Sequence, residues 1–156
     1  MYLIHTLRKP KVFSTSTTFN ILDNTDSTDL FPMFQDKNIA ITFASDDNYV
    51  AYLAVALQSV LDHCSNQNNY DIVILSDNIS AKNQNLIRQM SFGLENVRIR
   101  FYECSNLLNQ EQFQFHNPRL SRSTFSRLYS IDIFRNYKKI LYLDCDIVVR
   151  EDIANL

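Results

Sequence analysis

A single glycine among 156 residues, Gly93, excludes more than any other count in this chain. Loops that cradle phosphates with their backbone, of the P-loop or dinucleotide-binding kind, need several glycines, because the main chain must approach the phosphates and turn with positive φ. Neither can be built here, and a G-x-S-x-G nucleophile elbow is excluded for the same reason. A phosphorylated ligand must therefore be held by side chains, helix ends or a metal. The three cysteines, Cys64, Cys104 and Cys145, are odd in number and about forty residues apart, so neither a zinc cluster nor a disulfide framework is indicated and a reducing compartment fits. Long hydrophobic runs are also missing. The apolar stretch within MYLIHTLRKPKVF is too short for a signal sequence or a membrane span, so no transmembrane segment is expected. A net charge of −2 lacks the basic excess of a general nucleic-acid binder, and no nucleic-acid partner is expected. These absences together predict a cytoplasmic protein, peripheral to a membrane only through its partners.

What is present suits one α/β domain with a modest core. Residues 1 to 37 run into STSTTFNILDNTDSTD, which has little apolar surface to bury and reads as a loosely ordered extension. Order is expected from Asn38. Ile39 to Ala44 has strand length and composition, and Ser45-Asp46-Asp47-Asn48 breaks it with turn and cap residues. The spacing of Tyr49, Tyr52, Leu53, Ala56, Leu57, Val60, Leu61 and Cys64 predicts a helix with all eight on its inner face. Tyr70 to Leu75 reads as a second strand. Ser80 is placed to cap a helix carrying Leu86, Ile87, Met90 and Leu94 inward. Alternation from Asn96 to Glu103 predicts a strand near an edge, with Arg98, Arg100 and Tyr102 on its wet face. After a polar stretch, Phe125, Leu128, Ile131 and Phe134 predict a helix ending near Asn136, and Lys139 to Leu143 a last strand. Strands alternating with helices imply a mainly parallel sheet, whose ligands bind beyond the carboxyl ends of the strands.

The last strand leads into Asp144-Cys145-Asp146. If the chain stays extended there, side chains at i and i+2 share a face, which sets the two carboxylates side by side and turns Cys145 away. Like charges held close repel and lose hydration unless a partner compensates. A hard divalent cation such as Mg²⁺ or Mn²⁺ is such a partner, and it can bridge to phosphates. Thirteen aspartates make roughly one Asp-x-Asp by chance in a chain of this length, so the triplet needs context. The alternative is a strand that ends at Leu143 and spills two acids into solvent. Context comes from Asp46-Asp47-Asn48, a second acidic turn expected at the same edge of the sheet.

Three collinear segments, IAITFASDDNYVAYLAVALQSV, STFSRLYS and KKILYLDCDIVV, resemble the family-8 glycosyltransferases, the group that includes glycogenin and bacterial lipopolysaccharide galactosyltransferases and glucosyltransferases. The resemblance covers residues 38 to 156. It implies the nucleotide-binding part of a GT-A type fold, with a Rossmann-like, mainly parallel sheet. It also implies transfer of a hexose from a UDP-sugar donor to a glycan or lipid-linked saccharide acceptor of the lipopolysaccharide type, with retention at the anomeric carbon. Asp144 and Asp146 would match the pair that holds Mn²⁺ or Mg²⁺ against the diphosphate. Asp46 and Asn48 would match the uracil-contacting positions, Tyr49 the residue that stacks on the base, and Ala44 a backbone contact to the nucleotide. Arg127, in SRLYS, would match an arginine that approaches the sugar and diphosphate. From the residues alone, Tyr49 is as well read as a core tyrosine, Asp46 as a helix cap and Arg127 as an exposed helix residue.

The family's later His-x-x-Gly-x-x-Lys-Pro-Trp segment, whose histidine completes the metal site, has no counterpart here: there is no tryptophan and no histidine after His116. The chain therefore reads as a truncated first part of such an enzyme, with no catalytic nucleophile to name. Three other readings stand beside it. One is a nucleotide-binding or metal-binding remnant without turnover. Another is a haloacid dehalogenase-type phosphatase with Asp144 as nucleophile and Asp146 as acid/base. The third is a phosphoacceptor receiver domain built on the first acidic turn.

Overall fold

The computed structural model describes Leu3–Thr6, residues 29–104 and residues 132–156. Its sheet has five strands: β1 (Leu3–Thr6), β2 (Asn38–Asp46), β3 (Asn69–Asp77), β4 (Val97–Glu103) and β5 (Lys139–Tyr142). The order across the sheet is β1-β5-β2-β3-β4. β2 pairs in parallel with β3 along its whole length, from Asn38 opposite Asn69 to Asp46 opposite Asp77. β4 continues the parallel sheet on one side, and β5 on the other through Ile41 opposite Leu141 and Thr42 opposite Tyr142. The α/β, mainly parallel architecture expected from the sequence is what forms.

β3 shows why. From Tyr70 to Asp77 every residue is buried, as a central strand covered on both faces must be. Ile41, Phe43, Tyr70, Ile72, Ile74, Val97, Ile99, Leu141 and Leu143 point to one face, where α1 (Val50–Leu61) packs with Leu53, Leu57 and Val60. Ala40, Ala44, Val73, Leu75, Ile140 and Tyr142 line the other, against Ile133, Phe134 and Tyr137. Each aliphatic side chain taken fully out of water here contributes roughly 1.5–3 kcal/mol. α2 (Ala81–Gln89) lies on the first face and begins at Ser80, whose hydroxyl accepts from the Asn83 amide at 3.4 Å, as its sequence predicted.

Several expectations change. Tyr49 and Tyr52 are not inner-face residues: they are 50% and 58% exposed. The buried stripe is narrower, running through Leu53, Ala56, Leu57, Val60 and Leu61, and Tyr49 precedes the helix as its N-cap. Leu86 is likewise 52% exposed, and Ile87 alone in α2 is buried, because nine residues offer one stripe little more than two turns long. Order also begins before Asn38. Leu3–Thr6 pairs antiparallel with β5, and residues 29 to 34 are fastened to the sheet by polar contacts together with Leu30, which packs against the second core cluster. The amide of Met33 donates to Asp71 at 2.9 Å, Arg100 donates to the Phe31 carbonyl, and Arg135 pairs with Asp29. The helix predicted up to Asn136 lies mostly outside the described residues; its visible end is helical at 132–133 and turns at 134–136.

Asp71 is the most consequential surprise. It interrupts an apolar strand and is 0% exposed, so its charge must be compensated. Arg100 does so from β4 with a bidentate fork, Nε at 3.0 Å and Nη2 at 2.7 Å, and the Tyr137 hydroxyl donates at 2.9 Å. Arg100 is therefore committed to a structural pair and does not form a wet face.

Candidate functional site

The carboxyl ends of β2 and β5 lie side by side, and both expected acidic turns are carried there. Beyond the last paired residues the two chains stay in contact. The Leu143 amide donates to the Thr42 carbonyl at 2.9 Å, and the Cys145 thiol donates to the Ala44 carbonyl at 3.3 Å. Cys145 thus faces the core, packed against the α1-side cluster, with the acids on either side of it half-buried at Asp144 and exposed at Asp146. Burial pushes its thiol up to about 12, and the fields of Asp144, Asp146 and Asp46 push the same way while a hydrogen bond with Ser45 opposes them. The Cys145–Ala44 contact sets the acidic turn after β5 against the strand end that leads into the Asp46 turn.

The expected geometry of the triplet needs a correction. β5 ends at Tyr142 and residues 145–146 form a turn, so the alternation of an extended strand does not set the two carboxylates on one face. The acids are displayed by a turn, pinned on its inner side by the Cys145–Ala44 contact. The segment that follows returns across α1, held by the Val149 amide on the Ser59 hydroxyl at 2.9 Å. Further on, the Asp152 carboxylate accepts from Tyr70 and from the Ala154 amide.

The first turn is organised by Asp46. Its Oδ1 accepts from the amides of Asn48 at 3.0 Å and Tyr49 at 3.1 Å, so the side chain bends the chain between β2 and α1. It does not cap α1, whose N-cap is Tyr49 without a side-chain cap bond, and its turn uses one oxygen only: Oδ2 accepts no hydrogen bond among the described residues. The Tyr49 ring stands at the surface, 5.6 Å from that of Tyr52 and tilted by 41°. Asp47 points the other way, toward α2, where its Oδ1 accepts from the Ser80 amide at 2.9 Å and the Asn83 side chain at 2.8 Å. Ala44 lies beneath the turn with its carbonyl engaged by Cys145. Arg127 lies outside the described residues. Sequence reasoning overlooked the thiol contact and the reach of Asp47 to α2, neither of which has a local signature.

The donor set suits a hard cation in part. Two carboxylates stand on one turn at the edge where parallel sheets bind ligands, but no cluster of three or more His, Cys, Asp or Glu occurs among the described residues. Two carboxylates with substrate and water oxygens are an ordinary Mg²⁺ arrangement, so the residues present fit a cation shared with a phosphorylated ligand. Among the described residues no helix is long and apolar enough to cross a membrane.

A mainly parallel α/β sheet with acidic turns at adjoining strand ends defines the class: an α/β domain with a candidate ligand site at the carboxyl edge of its sheet. The profile of glycosyl transferase family 8 matches residues 40–156, and the chain belongs to that family. The General stress protein A of Bacillus subtilis (strain 168) is 24% identical over 128 residues, taking in 80% of this chain and 43% of its own length. Glycosyltransferase GlyE of Streptococcus pneumoniae serotype 4 is 29% identical over 119 residues, taking in 75% of this chain and 28% of its own. Among solved structures, the bifunctional glycosyltransferase WbbM superposes with a TM-score of 0.71 at 28% identity, over 81% of this chain and 21% of that one. The galactosyltransferase LgtC, solved with donor and acceptor sugar analogs, superposes with a TM-score of 0.60 at 29% identity, over 75% of this chain and 41% of that one. The chain spans less than half the length of each of these proteins. Family membership sets aside the phosphatase and receiver readings.

Proposed function

We propose that residues 38–156 form the nucleotide-sugar-binding part of a metal-dependent glycosyltransferase that takes a hexose from a UDP-sugar and passes it to a glycan or lipid-linked saccharide, with retention. The observation that carries this reading is the adjacency of the two acidic turns, whose strands pair side by side and are tied by the Cys145–Ala44 contact. LgtC, at 29% identity, was solved with donor and acceptor sugar analogs, which supports a sugar donor and acceptor for this chain.

In this reading Asp46 Oδ2 accepts from the imide N–H of uracil, and the Asn48 side chain donates to a base carbonyl. Tyr49, already at the surface, offers its ring to the base. Asp144 and Asp146 hold Mn²⁺ or Mg²⁺ beside the diphosphate. Bound there, the cation would supply Lewis-acid stabilisation of the charge that develops on departing UDP. Arg127 is assigned to the sugar and diphosphate by its motif. The acceptor belongs to residues beyond those described.

Calorimetric titration of UDP into the chain tests this. Binding is expected with Mn²⁺ present and should be lost in the Asp144→Asn/Asp146→Asn variant. Binding that needs no metal, or that survives the double substitution, would overturn the assignment. Slow hydrolysis of a UDP-sugar would show a reacting site as distinct from a binding remnant.

A further inference from the structure

The turn that offers Asp46, Asn48 and Tyr49 is nearly self-contained. Asp46 accepts from its own neighbours Asn48 and Tyr49, Ser45 donates to the Asp46 carbonyl, and the Tyr49 carbonyl starts α1 by accepting from Leu53. All these bonds are local. Ser45 meets Cys145 at the base of the turn, and from its outer part Asp47 reaches α2. Its Oδ1 accepts from the Ser80 amide and from Asn83 Nδ2, 33 and 36 residues further along the chain.

The receiving end is itself built with care. Asn78 adopts φ +59, a left-handed conformation that asparagine tolerates better than most residues. Its amide donates to Glu103 Oε1 at 3.3 Å, and the Ser76 hydroxyl donates to Glu103 Oε2 at 2.9 Å while accepting from the Ile79 amide at 3.2 Å. The loop between β3 and α2 is thereby fixed to the end of β4, and it presents the Ser80 N–H and the positive end of α2 outward. Hydrogen bonds join Glu103 to Ser76 and Ser76 to the Ile79 amide, and the next residue of the chain, Ser80, donates to Asp47. The Asp47 carboxyl is accordingly held below its ordinary value, first by the Ser80 N–H and then by the Asn83 side chain.

We propose that Asp47 is a positioning residue for nucleotide recognition: bound by the first turn of α2, it holds the Asp46–Tyr49 turn in the geometry that receives the base. This rests on the reading of that edge as a UDP-sugar site. Asp47 points away from the base-facing groups, so it acts through them and does not touch the ligand. An aspartate suits the task because one carboxylate oxygen takes two donors at a helix N-terminus, where negative charge is favoured.

The test compares Asp47→Ala, Asp47→Asn and Asn83→Ala in the full chain. UDP and uridine affinities are measured by calorimetry, and pyrophosphate affinity is measured with Mn²⁺ present, as a probe of the Asp144–Asp146 end. Asp47→Ala should weaken UDP and uridine about tenfold, the scale of one lost hydrogen bond to a charged group, and leave pyrophosphate unchanged. Asn83→Ala should weaken both in the same pattern but by less. Asp47→Asn, which keeps an oxygen for the Ser80 amide, should recover most of the loss. Amide exchange at Asn48 and Tyr49 should quicken in Asp47→Ala. Unchanged UDP affinity in Asp47→Ala overturns the proposal alone, as does an equal loss of pyrophosphate, which would mark general damage. A wild-type chain that binds no UDP overturns the site reading and this proposal with it.

Discussion

The Tyr70 hydroxyl donates to both oxygens of Asp152, at 2.7 and 2.8 Å, joining the amino end of β3 to the segment that follows the acidic turn. That contact joins residues 82 positions apart, and with the Val149–Ser59 bond it holds residues 147–153 over α1. A turn that displays two carboxylates is only as well defined as the segments on either side of it. The preceding side is β5; the following side is this tether.

Tyr70→Phe should therefore lower stability by about 1.5–3 kcal/mol, the range for a hydrogen bond to a charged group, measured by urea unfolding. Amide exchange should rise between Val149 and Asn155 before it rises in β3. The effect has a pH signature. Burial, followed by the bond to Asp152, pushes the Tyr70 phenol up to about 12, from an unfolded value near 10. The protonated phenol is the form the fold favours, so its contribution is complete below pH 10 and is lost as pH rises toward 12. Stability of the wild type should fall over that interval more steeply than that of Tyr70→Phe.

Arg100→Ala should be among the most damaging single substitutions outside the apolar core. It strands a carboxylate at Asp71 that has no access to water, for which a cost of about 3–5 kcal/mol is expected. It also removes a donor to the Phe31 carbonyl, so residues 29–34 should become protease-sensitive. Replacing both partners, as Asp71→Val/Arg100→Met, should recover most of the loss, because no charge is then left buried. Urea midpoints of the two singles and the double supply the cycle.

How much of this was legible beforehand follows the range of the interactions. The strands around Ile41, Ile72 and Leu141 and the cap at Ser80 are set by neighbours within a few residues, and the sequence displays them directly. So does the clustering of acids at strand ends, once the strands are taken as parallel. Tyr49 and Tyr52 were misplaced because a period fitted over sixteen residues absorbs side chains at the rim of the stripe. The pairing of Asp71 with Arg100, the reach of Asp47 to Ser80 and the contact of Cys145 with Ala44 join residues 29 to 101 positions apart. No local pattern encodes such pairs.

Asp144→Asn/Asp146→Asn should separate function from stability. Asp146 is exposed and Asp144 half-buried, and asparagine keeps the shape and much of the hydrogen bonding of each. In metal-free buffer the double variant should unfold within about 1 kcal/mol of the wild type, the centre of the range for single substitutions. Millimolar Mn²⁺ with UDP should raise the unfolding temperature of the wild type and not that of the variant, since only a ligand bound by the folded state stabilises it. Differential scanning calorimetry with and without chelator reads both outcomes.

Tyr49→Ala distinguishes the two roles that the sequence left open for this residue. A core tyrosine cut to alanine would cost several kcal/mol of stability, as Leu53→Ala in the buried stripe of α1 should, at about 2–5 kcal/mol. The structure puts Tyr49 half in solvent, with Tyr52 as its aromatic neighbour and only its backbone carbonyl engaged in starting α1. Tyr49→Ala should thus change the urea midpoint little. Its effect should fall on the ligand: losing a ring that stacks on a base costs about 1–3 kcal/mol, or roughly ten- to hundredfold in UDP affinity. Tyr49→Phe should keep nearly all of that affinity, because stacking needs the ring and not the hydroxyl. Uridine should be affected in the same proportion as UDP, and pyrophosphate with Mn²⁺ not at all. A large stability loss with unchanged UDP affinity would return Tyr49 to the core and remove the base from this end of the sheet.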